Sequence, residues 1–134
     1  MLGWVGDIEE LTLANDTFRT VVFTGEHAQL TVMRIAPGED IGLESHPHLD
    51  QFLRIEQGTA RVEFGRSEGQ VDETHDVAAD WAFIVPAGVW HNVVNTGDED
   101  LKLYSIYAPP QHPAGTVHRT RADAMAAEED DHRG

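Results

Sequence analysis

Apolar and polar residues alternate with a period of two through most of this chain, in short runs separated by Gly, Pro, Asp and Asn. Successive side chains of an extended strand point to opposite faces, so the pattern predicts half-buried strands rather than helices. Strands are expected over 18–24, 29–35, 51–56, 60–64, 81–85, 90–95 and 101–107. The reversals between them carry the residues that tight turns demand: Pro37-Gly38-Glu39-Asp40, Gln57-Gly58-Thr59, Pro86-Ala87-Gly88 and Thr96-Gly97-Asp98. Short strands at this spacing imply an all-β barrel or sandwich with antiparallel pairing.

Two stretches break the alternation. Residues 65–80 are rich in Gly, Asp, Glu and Ser and poor in apolar side chains, which predicts an exposed hairpin loop or insert. After Tyr107 the run Ala108-Pro109-Pro110-Gln111-His112-Pro113 forbids both helix and central strand, so the chain is expected to leave the barrel there. Thr120 with Asp123 three residues on resembles a capping arrangement, and 122–129 are mostly helix formers. The expected organisation is a β-barrel over 1–108 followed by a Pro-rich extension and a short acidic helical tail over 109–134.

Composition narrows the chemistry. The 134 residues suffice for one core of ordinary size. The absence of cysteine removes disulfides, thiolate metal sites and a cysteine nucleophile. Twenty-four acidic against nine basic residues leave a net charge of −15, which repels a phosphate backbone, so nucleic acid is not an expected partner. Only Lys102 is a lysine. The first ten residues do not read as a signal peptide, and no segment approaches the roughly 20 apolar residues that a membrane span needs. A cytoplasmic protein without a membrane partner is the expectation.

The candidate chemistry lies in two histidine-bearing segments. Residues two apart on an extended strand share a side, so His46 and His48 are expected to bind one ion together. In the strand that follows, Gln51, Leu53 and Ile55 share one face, which two aliphatic residues mark as inward, so the Gln51 carbonyl oxygen is a candidate fourth ligand. Glu44 has the strand parity of His46 and His48 and is the fallback oxygen donor, with Asp50 behind it. Further on, Val89, His91, Val93 and Asn95 share a side, and a histidine between two valines is inward. A buried imidazole needs partners for both ring nitrogens, which a metal on one and a carbonyl on the other would supply. His112 and His118 read as tail packing, and His27, His75 and His132 as solvated side chains.

Here the chain resembles the cupin superfamily. The run Pro86-Ala-Gly-Val-Trp-His91-Asn-Val-Val-Asn95 matches the second cupin motif, Pro-x-Gly-x-x-His-x-x-x-Asn, and His46, His48, Gln51 and Gly58 match the first. Gln51 stands where the family usually has Glu, one residue nearer the histidine pair. Asp40 and Asp80 occupy positions where glycine is usual. The tail looks most like that of small bacterial cupins described as phosphomannose-isomerase-like. The resemblance implies a jelly-roll barrel, a homodimer, and one divalent transition metal per subunit (Fe, Mn, Ni, Cu or Zn) on His46, His48, Gln51 and His91.

Cupins perform many reactions, so the shared fold does not fix one. The reading favoured here is an oxygenase acting on a small, oxygen-rich chelating molecule. A sugar or sugar-phosphate isomerase is the first alternative, with Glu44 as the catalytic proton carrier and Arg34 as the one candidate inward cation. A non-catalytic binding module for a small molecule is the second.

Overall fold

A computed structural model describes residues 2–133, with side chains described through Glu128; the side chain of His132 lies outside these. The elements in chain order are α1 (Ile8–Ala14), β1 (Arg19–Thr24), β2 (Gln29–Ile35), β3 (Asp50–Gln57), β4 (Thr59–Gly65), β5 (Glu73–Ala78), β6 (Ala82–Val85), β7 (Trp90–Asn95), β8 (Leu101–Ala108), β9 (Val117–His118) and α2 (Arg121–Arg133). They form two antiparallel sheets, one ordered β6-β3-β8-β2-β1-β9 and the other β5-β4-β7. Together the sheets make the expected all-β jelly roll with a C-terminal helix.

Parity decides which residues meet inside. Val85, Gln51, Tyr107 and Gln29 lie in one cross-strand row of the large sheet. Ile55, Leu103, Met33 and Arg19 lie in another. The apolar end of the interior gathers Ile35, Leu53, Ile55, Ala60, Val62, Val93, Leu101 and Leu103, all at 1% exposure or less. Burial at about 25 cal/mol per Å2 of apolar surface makes this cluster the main stabilising element. The polar interior residues gather toward the other end, with Gln29, Gln51, His46, His91 and Ser105 buried there.

Three elements escaped the sequence reading. β5 lies within the predicted loop: it pairs with β4 along its length, yet Glu73–Asp76 are exposed, so no apolar alternation announces it. α1 is capped by Asp7, whose carboxylate accepts from the Glu10 N–H at 3.1 Å, and packs on the outer face of the large sheet. β9 is two residues long and adds the tail to β1.

The tail packs back onto the barrel. Gln29, fully buried, accepts from the backbone N–H of Gln111 and His112 at 3.1 and 3.0 Å and donates to the His112 carbonyl at 2.7 Å. Ala124 of α2 enters the core. Arg121 donates to the Asp40 carbonyl at 2.9 Å and to its carboxylate at 2.7 Å, so Asp40 ties α2 to the segment leading into the first histidine motif. The second motif departure also has a local reason: Asp80 adopts φ +75°, a conformation glycine takes at less cost.

Candidate metal centre

Between β2 and β3 the chain runs irregularly alongside β7. Ile41 N–H donates to the Val93 carbonyl at 3.0 Å, and Asn95 N–H to that of Glu39 at 3.0 Å. Glu44 and His91 then exchange both backbone hydrogen bonds, at 3.0 and 2.9 Å, as an isolated antiparallel bridge. Directly opposed residues of such a pair project to the same side of the sheet. His46 follows, fixed by its carbonyl accepting from the Gly88 N–H at 2.9 Å. Glu44, His46 and His91 thereby offer one ligand atom each, all within 4.8 Å of one another.

The Glu44 Oε1 lies 3.4 Å from His46 Nε2 and 3.5 Å from His91 Nε2. These are ion-pair distances without hydrogen-bond geometry, and both buried Nε2 atoms lack a hydrogen-bond partner. His91 Nδ1 lies 3.2 Å from the Val89 carbonyl, which holds the ring with Nε2 turned toward Glu44. Burial opposes the Glu44 charge, but its contacts with the His46 and His91 imidazoles outweigh that cost and hold the carboxyl well below the usual carboxylate range.

The sequence-predicted residues divide. His46 and His91 meet in the barrel. Gln51 points inward from β3 at 1% exposure, and its Oε1 is buried without a partner. His48 does not join them: Pro47 and His48 form a turn, so the strand parity behind the His46–His48 pairing ends there and His48 is exposed. Glu44, read as fallback ligand and as proton carrier, takes the third place. Asp50 is exposed and accepts from the Ala87 N–H at 2.9 Å. Arg34 faces outward, paired with Asp100 at 2.7 Å. Among the described residues the inward cation is Arg19, whose parity with the buried Val21 is its sequence signal.

This donor set fits a divalent metal. Two imidazole nitrogens and an ionised carboxylate converge, the Gln51 amide oxygen is buried in the same barrel interior, and both imidazoles and the amide carry a buried atom without a hydrogen-bond partner. Glu44 and His46 also border a cavity of 420 Å3 with Ser45, Trp90, Gln111 and Glu128. A larger cleft of 560 Å3, between Phe64, Arg66, Ile84 and the turn Pro86–Val89, is lined by none of these ligand candidates.

The barrel and its motif-borne histidines define the class. The cupin-domain family model matches residues 31–107, and the chain belongs to the cupin family. The Bacillus subtilis uncharacterized protein YrkC is 57% identical over 126 residues, 94% of this chain and 68% of that protein. The uncharacterized protein L612 of Acanthamoeba polyphaga mimivirus is 41% identical over 115 residues, 85% of this chain and 70% of that one. A crystal structure of a Bacillus halodurans protein, 56% identical, superposes with a TM-score of 0.91 over 92% of this chain and 93% of that one.

Proposed function

We propose that this cupin holds one divalent transition metal on Glu44, His46 and His91, with Gln51 as an additional oxygen donor, and acts as an oxygenase on a small chelating, oxygen-rich molecule. The observation that carries the reading is the convergence of two buried imidazoles and one ionised carboxylate. Two histidines and one carboxylate with open positions are the donor set of non-haem iron oxygenases. Bound there, a metal would supply Lewis-acid polarisation of the substrate and a route to oxygen.

The protein's own residues divide the remaining work. The paired backbone bonds between Glu44 and His91 fix the angle between two ligands before any ion binds. The Val89 carbonyl orients the His91 ring. Gln29 holds the tail, and with it His112, against the polar end of the barrel. With Glu44 in place of His48, the site's formal charge when loaded is +1, which still favours an anionic chelate.

The isomerase alternative, which rests on the family resemblance, finds less support in its candidate residues, since Glu44 lies between two imidazoles and Arg34 faces outward against Asp100. The test is oxygen uptake by iron-loaded protein offered catechols, α-keto acids and enediols. Uptake that depends on both iron and one of these compounds supports the reading. Tight binding of a chelator without oxygen uptake would favour a non-catalytic binding module.

A further inference from the structure

Two spaces adjoin the candidate metal ligands. The larger, of 420 Å3, borders both Glu44 and His46; the smaller, of 160 Å3, borders Glu44 together with His112 and His118. His46 is 8% exposed and carries a buried Nε2 without a hydrogen-bond partner, so the larger space adjoins a group that itself calls for a ligand. A molecule that meets the metal with one end has this volume for the rest of its atoms.

The walls of that space have a definite chemistry. They are apolar at Leu43, Pro47 and Trp90, and acidic at Glu68, from the loop between β4 and β5, and at Glu128, from α2. Glu128 also borders the smaller space. Neither glutamate belongs to the cluster of Glu44, His46 and His91, so carboxylates remain in the walls once Glu44 is bound to an ion. Among the described residues no lysine or arginine lines either space, and the buried Arg19 lines neither.

These walls discriminate by charge. A carboxylate or phosphate substituent would enter beside carboxylates with no cation to meet it, and the chain's net charge of −15 adds to the repulsion. An ammonium group gains from the same carboxylates and from the indole ring of Trp90, since aromatic rings attract cations. The two ends of the molecule therefore face opposite demands, anionic oxygens at the metal and positive charge away from it.

We propose that the small chelating molecule bears an ammonium group, which occupies the 420 Å3 space among Trp90, Glu68 and Glu128 while its chelating oxygens meet the metal. The chelating end rests on the metal-site reading above, and the ammonium end on the walls of the cavity. The substrate class is then a small amine that also carries a catechol, enediol or keto-enol group.

The test is calorimetry on Zn(II)-loaded protein with three compounds that share one chelating group: 3,4-dihydroxyphenethylamine, 4-ethylcatechol and 3-(3,4-dihydroxyphenyl)propanoate. Zn(II) is redox-inactive, so affinity is read without turnover. The amine should bind about tenfold more tightly than the neutral compound, and the acid more weakly than either. Glu68 is exposed in its loop, so Glu68→Gln and Glu68→Lys should fold, and each should narrow the amine-to-acid ratio, the lysine further. Protein that holds Zn(II) and binds all three equally, or the acid most tightly, overturns the inference and leaves the metal centre standing. A ratio unmoved by the charge at position 68 also overturns it. Protein that takes up no metal removes the metal-site reading, and the inference falls with it.

Discussion

Glu44 and His91 face each other across an isolated antiparallel bridge, joined by backbone hydrogen bonds of 2.9 and 3.0 Å, with the carboxylate oxygen 3.5 Å from the imidazole Nε2. The bridge converts a sequence separation of nearly fifty residues into a fixed side-by-side placement of two candidate ligands. It also explains why Glu44, outside any regular strand, joins His46 and His91 in one cluster while His48 does not. The carboxylate follows the hydrogen-bond register of β7, whereas His48 lies beyond the turn at Pro47.

Gln51 provides a graded test of the site's depth. Gln51→Glu puts a second carboxylate where the amide oxygen is now buried without a partner. Metal-free, the variant should melt below wild type, because a buried carboxylate near Glu44 is unfavourable. With added Zn(II) or Mn(II) its melting temperature should rise by more than that of wild type, since a charged ligand strengthens the differential binding that stabilises the fold. An equal or smaller metal response would place Gln51 away from the ion.

The second-motif asparagine is expected to be structural. Asn95 donates to the carbonyls of Ile35 and Glu99 and accepts from the Gly97 N–H, each at 2.9 Å. Losing three such bonds inside the barrel costs about 3 kcal/mol at roughly 1 kcal/mol apiece. Asn95→Ala should therefore lower the urea midpoint while leaving metal stoichiometry at the wild-type value. Loss of metal in a folded variant would contradict this.

Acid stability of the metal-free protein should carry the mark of His112. Burial, with Arg19 nearby, pushes its pKa down from 6.5 to about 3. Between these values the unfolded chain binds a proton that the folded chain refuses, so stability is retained above pH 6.5 and lost as pH falls toward 3. The slope attributable to one group is at most about 1.4 kcal/mol per pH unit. Denaturant melts of wild type and His112→Asn at pH 7, 5 and 4 should diverge, with the variant losing less; parallel losses would show that His112 does not contribute.

At the alkaline end Tyr107 has the opposite sign. Burial raises its pKa from 10.0 to about 12, against a smaller lowering by Arg19. The unfolded chain ionises first, so stability is full below pH 10 and declines as pH rises through 12. Tyr107→Phe should flatten that decline, as followed by denaturant midpoints at pH 9, 10 and 11. An unchanged pH dependence would count against the buried neutral phenol.

Most of the barrel was legible because its strands obey alternation. The predicted 29–35 and 90–95 match β2 and β7 residue for residue, and the inward faces of Gln51 and His91 followed from Leu53, Ile55, Val89 and Val93. What alternation does not govern was hidden. β5 is polar and exposed on most of its length, and α1 is a seven-residue helix whose capping aspartate lies in an acidic stretch. The pairing of His46 with His48 assumed a regular strand through Pro47, where the chain turns. Arg19 was passed over because an arginine in a strand is ordinarily read as solvent-facing, and only its long-range contact with His118 reveals the polar interior it serves.

The central claim is tested most directly by the metal content of untagged protein prepared without chelator, as wild type, Glu44→Ala, His46→Ala, His91→Ala and His48→Ala. One divalent transition metal per chain is expected in wild type and in His48→Ala, with near-complete loss in the other three. Loss of metal in His48→Ala with retention in Glu44→Ala would contradict the site, and so would a metal-free wild type that takes up none of Fe(II), Mn(II), Ni(II), Cu(II) or Zn(II).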